Sequence, residues 1–364
     1  MAKYDIDSAS RTDFSASSNF SVAAQTLDAP DFSGEETFWD FPDASKYLGY
    51  YKTIPELKKA IDALALWTVG KGTTTDIQTA NLVQVWGGSG QDSFQEIMKN
   101  LIRQKKAFGD AFAEIVRAEN GVIINLKPLY TGDMRVVFNK EGIIIRYEQR
   151  NRDNKNNNVV FKTSDIFHLS NDRIGNELHG VSVIEACQWV IDARNEALTD
   201  HRVVLHRNRI PVRIIEVDTD DTTKIATLIS TYEKTIKQNK GGQVFVIPKG
   251  TVEFKDNTIA IQDPITWIQY LENFFYVAVG VPRPIVSIVG TTEASSKVGF
   301  LTFEPVYTSE QTELESDILS QLGLTLKFNR PPSLSGVVAQ DEQKNAGQTG
   351  FQPNDSQVSA TRTE

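Results

Sequence analysis

Hydrophobic positions in residues 54–69 recur every three or four places, and Leu57, Ala60, Ile61, Leu64 and Ala65 form one stripe behind Pro55. That spacing predicts a helix, because about 3.6 residues make a turn and a proline in the first turn forfeits no hydrogen bond. Residues 80–86 run into Gly87 and Gly88 and read as a strand. Residues 93–104 return to helical spacing, opened by Ser93 and Glu96 at the separation of a capping box. A run of strands follows at 111–117 and 122–128, turned about residues 119–121, then at 134–138, 142–149, 158–162 and 165–169. Short strands joined by tight turns predict mostly antiparallel pairing in a mixed α+β region.

The longest helical pattern covers 181–207, and Pro211 stops it. At about 1.5 Å per residue this is a rod of roughly 40 Å. Two adjacent columns run along it at seven-residue spacing: Val183, Val190, Ala197 and Val204 beside Ile184, Ile191, Leu198 and Leu205. The rest of its surface is mostly polar. One narrow apolar seam between wet flanks suits a strut packed on similar struts, as in a ring, and makes Ile184, Ile191, Leu198 and Leu205 a candidate subunit seam. Beyond Pro211, 212–217 reads as a strand, and 224–238 as an amphipathic helix with Ile225, Leu228, Ile229, Tyr232 and Ile236 on one face. Residues 243–247 read as a second strand, closing a small α/β module. The module is inserted between helices, since 264–279 is helical and strongly apolar (Ile268, Leu271, Phe275, Ala278). A helix over 297–322, interrupted near Pro305, and a last strand at 323–328 complete the pattern. Ordered structure is expected to begin near Trp39. Residues 1–38, rich in Ser, Ala and Asp, and residues 335–364 read as disordered arms.

Composition narrows the function classes. The 364 residues suffice for about two domains. With 38 Lys and Arg against 47 Asp and Glu, the net charge of −9 argues against coating nucleic acid through bulk positive charge. The single cysteine, Cys187, excludes an intramolecular disulfide and a multi-cysteine zinc site. No run of about 18 apolar residues predicts a membrane span, and the N-terminus lacks a signal peptide's apolar stretch, so use in the cytoplasm is expected.

Candidate chemistry is sparse. Gly87, Gly88, Ser89 and Gly90 precede a helix, but no Gly-Lys-Ser/Thr completes a phosphate loop, so a glycine turn is the simpler reading. Asp218, Asp220 and Asp221 suggest a cation, yet an EF-hand needs glycine at its sixth position and glutamate at its twelfth, where this chain has Thr223 and Ile229. Acids at a helix N-terminus, favoured by its dipole, account for them. His168, His179, His201 and His206 include no pair at metal-binding helical spacing. Cys187 has no nucleophile signature and reads as packing. No catalytic, metal or cofactor residues are expected. One basic run stands out: Arg202, Arg207, Arg209 and Arg213, without an intervening acid. Cations favour a helix C-terminus or form salt bridges to a neighbouring subunit; contact with phosphates or an acidic partner is the alternative.

Four ordered segments resemble the phage portal family of the HK97 type: KKAFGDAFAEIVR leading into GVIINLKPL; SDIFHLSND with GNELHGVSVIEACQWVIDAR; FFYVAVGVPRPIVSIVG; and FLTFEPVYTSEQTELESDIL. The resemblance spans roughly residues 40–330. It implies an α+β portal fold and a non-enzymatic ring, usually of twelve subunits, at one capsid vertex of the virion, assembled in host cytoplasm. It implies a mixed α/β wing at 39–180, a stem helix at 181–208, a clip at 209–263, a second stem helix at 264–281, a tunnel-loop region at 282–298 and a wing return at 299–334. Little sequence follows residue 330, so a reduced or absent crown is expected. Thr291, Thr292, Glu293, Ser295, Ser296 and Lys297 would face double-stranded DNA in the channel. The implied partners are further copies of the chain, the major capsid protein and scaffold, the terminase and a head–tail adaptor, with no membrane and no cofactor. A net negative chain suits a channel through which DNA slides, because a strongly basic one would hold phosphates. The rival expectations are another virion connector, and a metal-dependent nucleic-acid enzyme built on the three aspartates.

Overall fold

The computed structural model describes residues 36–333 apart from 140, 152–157, 176, 210–211, 218–220, 240–242, 249–263, 288–291 and 332. The chain divides into two compact units, one of Met1–Glu185 with Tyr276–Glu364 and the other of Ala186–Phe275.

The first unit begins with β1 (Glu36–Asp40), α1 (Ala44–Thr53), α2 (Pro55–Val69), β2 (Thr73–Thr75), α3 (Ile77–Gln84) and α4 (Phe94–Phe108). Six strands follow: β3 (Asp110–Arg117), β4 (Ile123–Leu129), β5 (Met134–Asn139), β6 (Ile144–Gln149), β7 (Val159–Lys162) and β8 (Ile166–Ser170). The second unit contributes α5 (Gln188–Arg209), β9 (Val212–Val217), α6 (Thr222–Asn239) and β10 (Gln243–Pro248), and α7 (Pro264–Val279) crosses the boundary back into the first. There, α8 (Arg283–Val286), α9 (Glu293–Asp317) and β11 (Leu326–Phe328) complete the described chain.

Strand order explains the core of the first unit. β3 is the centre of an antiparallel β4-β3-β8 sheet, and β1-β5-β6-β7 is a second antiparallel sheet. Successive side chains of a strand point to opposite faces. Ala111, Ala113 and Ile115 therefore join one core with Ile97, Met98 and Leu101 of α4. Phe112 points the other way, into a core with Val136, Phe138 and Tyr147. Burial on both faces makes residues 111–113 of β3 continuously apolar rather than alternating. Ile97, Met98 and Leu101 are at most 1% exposed, and each contributes roughly 1.5–3 kcal/mol of burial. Ser93 and Glu96 cap α4 reciprocally, as their spacing predicts. In the second unit β9 and β10 pair in parallel, with α6 between them in sequence, as a strand–helix–strand crossover requires.

Several expectations are corrected. Residues 80–86 are not a strand: Asp76 accepts a hydrogen bond from the Thr79 amide and caps α3, which buries Thr79 and Val83 four residues apart. The first described strand, β1, includes Trp39 and takes in residues 36–38 of the expected arm, because Glu36 pairs across strands with Arg146 and Asp40 with Arg135. The long helix begins at Gln188, not 181, after a short turn at Glu185–Cys187. Helix α9 runs through Pro305 without a break, since Trp67 packs on Phe300, Phe303 and Tyr307 on both sides of the proline. It changes instead to a π-turn at Ile318–Leu322, ended by Gly323. Most of 1–38 and 335–364, with the expected arms, lies outside the described residues.

Candidate functional site

Residues 180–184 lead towards α5, and their backbone is committed to the C-terminal end of α4. The Val183 amide donates to the Lys106 carbonyl at 3.1 Å, and the Ser182 hydroxyl to the Ala107 carbonyl at 2.6 Å. These are carbonyls the helix leaves without internal partners, so the segment caps α4 before it turns at residues 183–184. Gly109 and Gly180 cross there: a Cβ on Gly180 would stand 2.2 Å from the Gly109 oxygen, and Gly109 has φ +89°. Only glycine fits this approach. Asp110, fully buried, accepts from the Gly180 amide at 3.0 Å and bonds His168 Nε2 at 2.9 Å. His168 Nδ1 meets the Tyr147 hydroxyl at 3.1 Å, and its ring stacks on Phe112. The histidine is thus a partnered structural residue.

Beside this crossing lies a buried ionic cluster. Glu310 of α9 accepts from Lys105 Nζ at 2.6 Å and pairs with Lys106 Nζ at 2.8 Å. Glu313 reaches Lys105 at 3.2 Å, and the Asn171 amide oxygen accepts from Lys106 at 2.7 Å. Burial pushes the Glu310 carboxyl up, but Lys106 and Lys105 outweigh it and hold it below the ordinary range. Burial is the largest single influence on Lys105 and lowers it, but Glu310 and Glu313 together outweigh it and leave the ammonium above its ordinary value. Positive and negative charges nearly balance, which is what a buried cluster needs to persist. The cluster fastens α9 to α4.

The structure divides the expected subunit seam. Ile184 and Ile191 are fully buried within the chain, whereas Leu198 and Leu205 are exposed. Arg194 reaches Glu272 of α7 at 3.3 Å, and Trp189 packs edge-on against Phe274, fixing α5 to α7 inside the second unit. In the basic run Arg202 is exposed; Arg207 and Arg209 lie on α5 and Arg213 on β9, with side chains outside the description. Thr291 lies outside the described residues. Thr292 is the N-cap of α9 and accepts from the Ser295 amide at 3.2 Å, while Ser295 Oγ accepts from the Thr292 amide at 3.1 Å. Glu293, Ser295, Ser296 and Lys297 therefore sit in the first turns of a helix rather than in a loop, and Lys297 pairs with Glu293 at 3.0 Å.

The remaining candidates have structural roles. The Gly87 and Gly88 amides, which a phosphate would require, both donate to Asn125 Oδ1 at 3.1 and 3.0 Å. Asp221 accepts from the Thr223 and Lys224 amides at the start of α6, while Asp218 and Asp220 lie outside the described residues. His179 stacks on Trp39. Cys187 is buried, and burial pushes its thiol up to about 11. Among the described residues no group of His, Cys, Asp and Glu is placed to hold a metal, and no helix is long and apolar enough to cross a membrane. One feature escaped the sequence reading. Trp267, Tyr270 and Phe274 form a row of touching rings on α7, with Trp267 and Tyr270 half exposed. Their spacing was readable; that they miss the core was not.

Three antiparallel sheets packed with helices in one unit, and a parallel strand–helix–strand module in the other, define an α+β fold. The phage portal protein family model matches residues 71–353, and the chain belongs to that family. Its fold is that of gene transfer agent particle proteins. The neck of the native particle, computed with C12 symmetry, matches with TM-score 0.63 and 19% identity over 87% of this chain and 92% of that one. The virion of the native particle matches with TM-score 0.61 and 19% identity over 91% and 94%. The neck of the empty particle, computed with C6 symmetry, matches with TM-score 0.62 and 18% identity over 89% and 93%. No curated protein matches the chain.

Proposed function

We propose that this chain forms a ring at one vertex of a capsid, through which double-stranded DNA enters during packaging and leaves at ejection. The carrying observation is the family match across residues 71–353, which takes in α5, the inserted module, α7 and α9. The necks that share the fold were computed with twelvefold and sixfold symmetry, which supports a closed ring of about twelve copies. In this reading residues 39–180 and 299–334 are wing, α5 and α7 are stem helices, and residues 209–263 are the clip where terminase and then the head–tail adaptor dock. The first turns of α9, with Thr292, Glu293, Ser295, Ser296 and Lys297, line the channel. Mixed charge there suits passing contact with phosphates. The protein does no chemistry in this scheme; a separate packaging ATPase supplies the work.

Negative-stain electron microscopy with native mass spectrometry tests the proposal. Rings of about twelve subunits with an axial channel are expected. A protein that stays monomeric alone and with its capsid protein and scaffold refutes it. Leu198→Asp places a charge on the exposed half of the seam and is expected to block ring formation.

A further inference from the structure

The sheet β1-β5-β6-β7 ends in two edge strands, and among the described residues neither β1 nor β7 pairs with a further strand. An edge strand presents a row of backbone donors and acceptors, which proteins usually guard with proline, a bulge or charge. Proline is absent from both edges here, and the sheet's bulge lies between β5 and β6. Val159 and Val160 of β7 are 51% and 60% exposed, and Phe38 of β1 is 57% exposed with Arg135 over its ring. The sheet has already spent one face: Trp39, Val136, Phe138, Tyr147 and Phe161 belong to the core beside Phe112. Side chains alternate along a strand, so Phe38 and Val160 lie on the other face, with Glu36 and Asp40 at one edge and Lys162 at the other.

We infer that β7 of one copy of the chain pairs antiparallel with β1 of the next, Val160 opposite Phe38 and Lys162 opposite Glu36, so that this sheet continues from copy to copy. The inference rests on the ring reading and adds a contact which that reading does not name. Three observations favour a second copy as the occupant. The first is parity. Four strands of alternating direction leave the two edges running opposite ways, so a neighbour turned by a small angle presents β1 antiparallel to β7, the pairing used throughout the sheet. The second is register. Paired residues share a face, so a slip of one residue turns every side chain over. Val160 against Phe38 joins the two exposed apolar groups of that face and sets Val159 against Trp39 on the other, and aromatic with β-branched is a favourable cross-strand pair. A slip of two residues sets Val160 against Asp40 or Glu36 instead. The third is charge. The same register brings Lys162, which is exposed, to Glu36, whose side chain stays 49% exposed with Arg146 on it. Joining two different edges of one subunit, repeated, generates a ring when the rotation closes.

The test uses the full chain, assembled, oxidised and run without reductant. Two double variants lie in the inferred register, Phe38→Cys with Val160→Cys and Glu36→Cys with Lys162→Cys. Two report a slip, Phe38→Cys with Lys162→Cys and Glu36→Cys with Val160→Cys. Within one chain β5 and β6 separate these positions by about 14 Å, too far for a disulfide, so any bridge joins two copies. Native Cys187 is buried, so single variants report background. Covalent ladders extending beyond dimer are expected from the in-register pairs and from no single or slip variant, since diagonal neighbours stand about 7–8 Å apart. A second measurement needs no substitution: amide hydrogen exchange of residues 36–40 and 159–162 in the wild type should slow at least tenfold between monomer and ring. Rings without in-register cross-links, ladders from the slip pairs alone, or unchanged exchange in both strands overturn the inference while leaving the ring reading intact. If the cysteine variants do not assemble, the exchange decides. No rings in the wild type under any assembly condition refutes the ring reading and this inference with it.

Discussion

Replacing Glu310 with glutamine tests whether the buried cluster holds α9 to α4. Glutamine keeps the shape and removes the charge. Lys105 and Lys106 then remain buried, with Nζ atoms that had stood 2.6 and 2.8 Å from the carboxylate. Removing one partner of a buried pair costs about 3–5 kcal/mol, because the other charge stays out of water uncompensated. Lys105 retains Glu313 at 3.2 Å, although that side chain is 59% exposed, and Lys106 retains the Asn171 amide. The lower end, about 3 kcal/mol, is therefore expected. Urea unfolding followed by tryptophan emission reads it, since Trp67 and Trp86 both lie in this unit. The midpoint should fall with an unchanged slope. A loss below about 0.5 kcal/mol refutes the reasoning, being the range of an ordinary surface substitution. The pH dependence has a definite sign. Glu310 is held below its ordinary value in the fold, so its contribution is complete above the unfolded glutamate range and fades as pH falls through the lower folded value. The gap between wild type and Glu310→Gln should accordingly close below about pH 4. Replacing Lys105, Lys106 and Glu310 together with methionine, methionine and leucine should cost far less than the single change, because no stranded charge remains.

Other expectations follow from the same structure. Gly180→Ala places a methyl 2.2 Å from a backbone oxygen and should cost at least about 2 kcal/mol, read as a lower thermal midpoint; an unchanged midpoint contradicts the crossing. Cys187, with its thiol raised to about 11, should resist a thiol reagent at pH 8 until the chain unfolds, and rapid labelling of the native protein contradicts its burial. Asp221→Ala should remove about 1 kcal/mol of helix capping and alter no nuclease activity; metal-dependent DNA cleavage lost in this variant would revive the enzyme reading.

Elements whose packing repeats a local period were legible from the sequence: α2, α4, the strands β3 to β8, the β9–α6–β10 module and α7. In α2 and α4 the apolar stripe meets one partner surface, so the pattern and the burial coincide. The capping box of α4 was legible for the same reason, since Ser93 and Glu96 lie within one turn. The family, too, could be recognised from short motifs in order. Tertiary structure alone decided what depends on distant partners. Strand β1 exists because Glu36 and Asp40 find arginines about a hundred residues away. The start of α5 moved to Gln188 because the segment before it spends its amides and hydroxyls on α4. Within one seam of uniform composition, Ile184 and Ile191 became core while Leu198 and Leu205 remained exposed, and on α7 three aromatic rings missed the core that their neighbours enter. A sequence states which residues prefer to leave water; which of them succeed within one subunit is set by how many neighbouring surfaces the fold brings to them.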